Sequence, residues 1–210
     1  MESDDELWCA WVGGSNAAGS KLLRRHTGRV HRFFASKVRE AADDLTQRTL
    51  LACLESRTRT LETPVLNFRA YLFGIARFQL LKYLRTLKRD GALDPLQSAI
   101  ADLRPDATAS QRVAQREDLE VLTRARQRLP VDHQVVLELF YWEELSVVEI
   151  AGVMNVAVGT VKSRLFRAKS QLKEDFVRAR DSGYKIDASR LPRALRADLE
   201  VAAEPMRDRS

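Results

Sequence analysis

Residues 145–172, LSVVEIAGVMNVAVGTVKSRLFRAKSQL, leave the chain few ways to fold. Ser146 followed three residues later by Glu149 is a capping-box pattern, which predicts a helix from Val147. Ile150, Ala151 and Met154 give that helix an inward side. Asn155 is a residue type that tolerates the left-handed turn ending a helix. A second helix is expected to start near Gly159. Val161, Leu165, Ala168 and Leu172 recur at steps of four, three and four, which makes one buried stripe. Lys162, Ser163, Phe166 and Arg167 fall on another side. Between Val158 and Lys173 there are five basic residues and no acidic one. A short helix, a tight turn and a one-signed basic helix form the pattern with which a helix-turn-helix enters a DNA major groove.

The rest of the chain agrees with a helical fold. Hydrophobic residues make up 45 % and aromatics 7 %, with few Gly and Pro, which favours helices over sheets. The net charge of +6 and pI near 9.6 favour a polyanionic partner. Cys9 and Cys53 are too few and too far apart for a disulfide framework or a metal-ligand spacing, which points to a reducing compartment. The acidic start MESDDE is opposite in sign to a signal peptide, and no apolar run approaches a membrane span. A cytoplasmic protein without membrane insertion is expected.

In chain order, Leu7, Trp8, Trp11 and Val12 predict a short amphipathic helix ending at Gly13-Gly14. Residues 17–39 form the next, with Leu22, Leu23, His26, Val30, Phe33 and Phe34 inward and a set of cations, Lys37 among them, covering the rest. His26 and His31 lack a third ligand at useful spacing and read as ordinary helix residues. Residues 42–57 are the third helix. Leu45, Thr49 and Ala52 line one side, with Leu50 and Leu54 beside it. Asp44, Gln47, Arg48 and Leu51 fall on another face, where an outward leucine among polar residues fits either a partner surface or a solvated helix face.

Thr63-Pro64 starts a long helix to about Arg89. Phe68, Leu72, Ile75 and Gln79 make one stripe. Tyr71, Phe78, Lys82 and Arg85 make another, and aromatics interleaved with cations suit single-stranded nucleic acid, since bases stack on rings while cations hold phosphates. Phe68 and Phe73 read as core, and Tyr71 and Phe78 fit either the core or such a nucleic-acid face. Residues 91–115 carry Asp94, Asp102 and Asp106 with Pro95 and Pro105 and read as an acidic, flexible linker. Helices resume from Gln115 and again after Asp132, the latter with Val135, Val136, Leu139 and Phe140 inward. His133 reads as structural. Glu138, Glu143, Glu144 and Glu149 form an acidic run that would face away from phosphates. Beyond Phe176, Leu191, Leu195 and Leu199 suit one short helix.

DDLTQRTLLACLE, NFRAYLFGIARFQLLKYLRTLKR and LPVDHQVVLELFYWEELSVVEIAGVMNVAVGTVKSRLFRAKSQL together resemble the bacterial RNA polymerase sigma factors. The match is to the extracytoplasmic-function type of the sigma-70 family, over roughly 17–178. The resemblance implies an all-α fold of two small helical domains. Sigma domain 2 would span 1–90 and a helix-turn-helix sigma domain 4 would span 116–178, with 91–115 as the linker and 179–210 as a C-terminal extension. It also implies a subunit that directs core RNA polymerase to promoters and helps melt them.

By the same resemblance, Asp44, Gln47 and Leu51 dock on the clamp helices of the polymerase largest subunit. Tyr71, Arg77, Phe78, Lys82 and Arg85 read and open the −10 element. Lys162, Ser163, Phe166 and Arg167 face bases of the −35 element, while Thr160, Arg164 and Lys169 are placed for phosphates. Arg48, Phe78 and Lys82 depart from the family's usual residues. Promoter DNA and an anti-sigma factor are the further partners implied, with no cofactor and no metal. The competing reading is a stand-alone dimeric helix-turn-helix regulator, but the N-terminal half has no sensor-like or receiver-like α/β pattern. An enzyme would need a nucleophile–base set, a phosphate loop or a metal constellation, and three scattered His and two Cys build none.

Overall fold

The computed structural model describes residues 2–57, 67–89, 128–181 and 191–200. These residues form eight α-helices and no strand, so the chain is all-α. By its contacts the chain divides into two compact units, residues 1–95 with 145–157, and residues 96–144 with 158–210.

In the first unit, α1 (Asp4–Val12), α2 (Asn16–Ala35), α3 (Ala42–Ser56) and α4 (Phe68–Arg89) pack in succession. Helix α1 opens on a capping box in which Ser3 and Glu6 satisfy each other's backbone N–H. Its Trp8 and Trp11 turn inward and meet edge-to-face at 5.6 Å, and Trp8 lies 5.2 Å from Phe68 of α4. Phe33 of α2 continues the aromatic core to Phe73 at 5.6 Å. The core stripe of α4 is Phe68, Leu72, Phe73, Ala76 and Leu80, all with no exposed surface. Helix α1 comes so close to α2 that a Cβ at Gly19 would stand 2.3 Å from Trp11 Nε1. In α6 (Val147–Met154), which also belongs to this unit, Ile150, Ala151 and Met154 are buried. Asn67 donates from Nδ2 to Glu149 Oε1 at 2.6 Å.

Several expectations are revised here. Helix α2 stops at Ala35 rather than 39, and a short 3-10 turn, Arg39–Ala41, leads into α3. Lys37 is not a solvated cation. It is 9 % exposed, its Nζ donates to the Phe33 carbonyl at 2.8 Å, and it sits 3.9 Å over the Phe33 ring. The apolar stem and the ring face together compensate the lost hydration. Leu54 points outward at 47 % exposure, and Cys53 takes the inward place. The expected start of α4 at Pro64, the linker 91–115 and the helix from Gln115 lie outside the described residues.

His26 is fully buried, with its Nε2 2.8 Å from Asp4 Oδ2. Burial lowers the His26 pKa from its ordinary 6.5, although Asp4 pulls the other way. Burial also opposes ionisation of Asp4, but hydrogen bonds from Arg25 and His26 outweigh it and hold the carboxyl below its usual value. Both folded pKa values are depressed, so the unfolded chain binds more protons in acid. The stability these groups contribute is present above the unfolded pKa and is lost as pH falls. The thermal midpoint of the full chain should therefore decline as pH drops from 7 through about 6.5, the unfolded imidazole value, towards 5. His26→Phe should flatten that decline, and an equally steep profile in the variant would show that His26 does not cause it.

In the second unit, α5 (Val131–Tyr141) packs on α7 (Val158–Asp181), and α8 (Arg193–Glu200) packs on α7 in turn. Val135, Val136 and Leu139 of α5 and Val161, Leu165, Ala168 and Leu172 of α7 are buried, as their spacing predicts. Phe140 is only half-buried. Glu138 and Glu143 are 5 % and 3 % exposed, so the acidic run is not a continuous surface. Leu195 and Leu199 are the buried residues of α8, the short helix expected beyond Phe176.

Candidate nucleic-acid interface

Helix α6 ends where Asn155 takes the left-handed conformation, φ 52° and ψ 51°. An amide side chain makes that conformation tolerable outside glycine. Its N–H and that of Val156 are satisfied by the last turn of α6. Only Val156 and Ala157 then separate Asn155 from α7. The capping box of Ser146 and Glu149 is formed in both directions, at 3.3 and 2.7 Å. Hydrogen bonds to Ser146 lead the causes that keep the Glu149 carboxyl below its ordinary pKa.

On α7 the inward stripe leaves Thr160, Lys162, Ser163, Phe166 and Arg167 exposed. Phe166 is 72 % exposed. Ser163 donates its hydroxyl to the Gly159 carbonyl at 3.0 Å, which turns the oxygen lone pairs outward. Two of the cations expected to contact DNA are already paired. Arg164 bonds Asp132 at 2.9 Å, and Lys169 bonds Asp198 at 2.8 Å. His133 is held below its ordinary pKa by burial and then by the charges of Arg164 and Arg167. A neutral ring beside two cations fits a structural role.

On α4, Phe78, Lys82, Arg85 and Arg89 are exposed at steps of four, three and four, which is one face. Phe78 is 60 % exposed, too large an apolar surface to be core. Tyr71 behaves differently. It is half-buried against Trp8 at 5.5 Å, its hydroxyl pairs with Ser56, and burial raises its pKa. Arg77 is half-buried. The structure thus brings Phe78, Lys82 and Arg85 together and sets Tyr71 apart as a packed ring.

On α3, Asp44, Gln47 and Leu51 are exposed and share a face. Leu51 is 53 % exposed, and Leu54 extends the same face by one turn. Asp44 accepts from Arg48 Nε at 2.9 Å. Two large leucines thus stand exposed on one polar helix.

Comparison with known proteins decides the family. A model of sigma-70 region 2 matches residues 22–90, and a model of sigma-70, region 4 matches residues 119–172. The chain belongs to the sigma-70 family. It is 31 % identical over 176 residues to the ECF RNA polymerase sigma factor SigM of Mycobacterium tuberculosis (strain ATCC 25618 / H37Rv), covering 81 % of this chain and 83 % of that one. It is 30 % identical over 158 residues to SigM of Bacillus subtilis (strain 168), covering 73 % and 91 %. Among solved structures it resembles the sigma factor RpoE, crystallised with the anti-sigma factor NepR from Bartonella quintana. That match has a TM-score of 0.56 at 23 % identity over 75 % of this chain and 95 % of that one, a likeness of fold. This sigma factor is of the extracytoplasmic-function type, and it serves RNA polymerase in promoter-directed initiation.

Sequence reasoning missed three features of the sigma factor. Leu54 was available from spacing, since 44, 47, 51 and 54 follow steps of three, four and three. Asp132 and Asp198, the partners of Arg164 and Lys169, lie 32 and 29 residues away and leave no periodic signal. No described helix is long and apolar enough to cross a membrane.

Proposed function

We propose that this sigma factor works as a two-point reader tethered to a larger machine. In this reading, Asp44, Gln47 and Leu51 on α3, with Leu54, hold the clamp helices of the polymerase largest subunit. Phe78, Lys82 and Arg85 of α4 engage the −10 element, with Phe78 as a stacking platform for an unpaired base and the cations on its phosphates. Tyr71 and Arg77 support that surface from its inner edge. Lys162, Ser163, Phe166 and Arg167 read base edges of the −35 element, and Thr160, Arg164 and Lys169 contact phosphates. The matches at 22–90 and 119–172 support a division into domains 1–90 and 116–178, with 91–115 as tether and 179–210 as extension.

The observation that carries the reading is Phe166. A phenylalanine left 72 % exposed, flanked by Lys162 and Arg167 with no acid on its helix until Glu174, is suited to a partner that is both apolar and anionic. A base pair in a major groove, with its thymine methyl and nearby phosphates, is such a partner. Each contact alone is weak. Joining them through core polymerase raises effective concentration, so affinity comes from linkage rather than from either surface. The sigma factor does no bond chemistry; the polymerase does. Its place of work is the cytoplasm, and an anti-sigma factor is its expected inhibitor.

Run-off transcription with purified core enzyme on a promoter library tests the proposal. Start-site selection that depends on both elements is the expected result. Core enzyme that initiates no differently with and without the chain would refute it.

A further inference from the structure

Helix α8 lies against the side of α7 that carries Phe166 and Lys169. The cleft between the two helices is lined by Phe166, Lys169 and Lys173 of α7 and by Leu195, Asp198 and Leu199 of α8. Lys162, Phe166, Lys169 and Lys173 are spaced by four, three and four, so α8 flanks the stripe that carries the candidate base-reading residues. Its attachment is small. Two leucines one turn apart are buried, and Phe166 beside them stays 72 % exposed. A helix built to brace α7 would be expected to cover that ring. A helix of eight residues is also too short to be stable alone, so its persistence depends on this contact.

The polar contact is specific. The Asp198 carboxylate accepts from Lys169 Nζ at 2.8 Å and from the Tyr141 hydroxyl of α5. Lys169 Nζ also lies 5.0 Å from the Phe140 ring centroid and 5.2 Å from that of Tyr141. The lysine is therefore aimed and held. An anionic oxygen at hydrogen-bond distance from a lysine on such a helix is what a backbone phosphate would present. Helix α8 also carries Arg193 and Arg196, yet the group it offers to Lys169 is the acid.

We propose that α8 is an intramolecular gate: Asp198 occupies Lys169 in the place of a DNA phosphate, and α8 must release that lysine for α7 to engage duplex fully. This rests on the reading that α7 contacts DNA.

The test uses the full chain and a fluorescent 20-base-pair duplex of mixed sequence, because a phosphate contact is independent of sequence. Asp198→Asn keeps both leucines and should bind roughly threefold tighter, with a salt slope steeper by about one as an additional phosphate is engaged. The gain should vanish in the Lys169→Ala background. A chain ending at Arg190 should bind at least as tightly as Asp198→Asn. The gate is overturned if Asp198→Asn gains nothing, or if its gain persists without Lys169, which would be a general charge effect. It is equally overturned if the shortened chain binds more weakly with a lower thermal midpoint, which would make α8 a brace. A Lys162→Ala, Arg167→Ala double variant, which removes two positive charges from the same exposed side of α7, separates the two layers, because binding to duplex of any sequence follows the charge brought to it. If it weakens binding while Asp198→Asn does nothing, only the gate fails. If the double variant changes nothing, the duplex is not on α7 and both readings fail.

Discussion

Leu51→Asp should weaken binding of this sigma factor to core RNA polymerase by roughly 30-fold or more, about 2 kcal/mol or above, the scale of an interface hot spot. Leu51 is 53 % exposed at the middle of the α3 face, between Gln47 and Leu54. A carboxylate there loses the apolar contact and is desolvated without a partner if the surfaces still meet. More than half exposed, Leu51 is not one of the buried residues that hold α3 in the fold. Circular dichroism should therefore be unchanged, and Leu54→Asp should act in the same direction with a smaller effect at the edge. A fluorescence titration with purified core enzyme measures both. Unchanged affinity of Leu51→Asp would remove α3 as the docking surface.

Arg167→Ala comes next in size. A guanidinium bidentate to a guanine edge contributes roughly 1–3 kcal/mol of discrimination. Arg167 is exposed on α7, one residue from Phe166, and unlike Arg164 it forms no ion pair among the described residues. Its loss should fall on one position of the −35 element when holoenzyme is assayed across single-base promoter variants. Lys169→Ala, at a phosphate, should weaken all variants alike. A uniform loss for Arg167→Ala would move it from base to backbone.

Much of this was legible because helical periodicity is a local property. The stripe at Val161, Leu165, Ala168 and Leu172, the cap at Ser146 and the left-handed Asn155 each follow from residues within a few turns. What was hidden depends on distant neighbours or on how the chain turns at the end of a helix. Lys37 reads as one more surface cation until the Phe33 ring is beneath it. Tyr71 falls on the same stripe as Phe78, but Trp8, 63 positions earlier, covers one ring and not the other. Glu138 and Glu143 look solvated by composition, yet both are buried. Glu144 adopts a left-handed φ of 53° with no glycine or asparagine to announce it. The candidate DNA face was readable as a charge pattern, whereas the acids that neutralise two of its cations were not.

The close approach of α1 to α2 bears on how such sequences can diverge. With the Trp11 indole where a methyl group at position 19 would have to sit, every side chain except a hydrogen is shut out. A lineage that enlarges residue 19 must first shrink residue 11, and one that trades away the indole frees its neighbour to vary. Those two sites should mutate in concert, as one historical unit, while the solvent-facing sites around them drift singly.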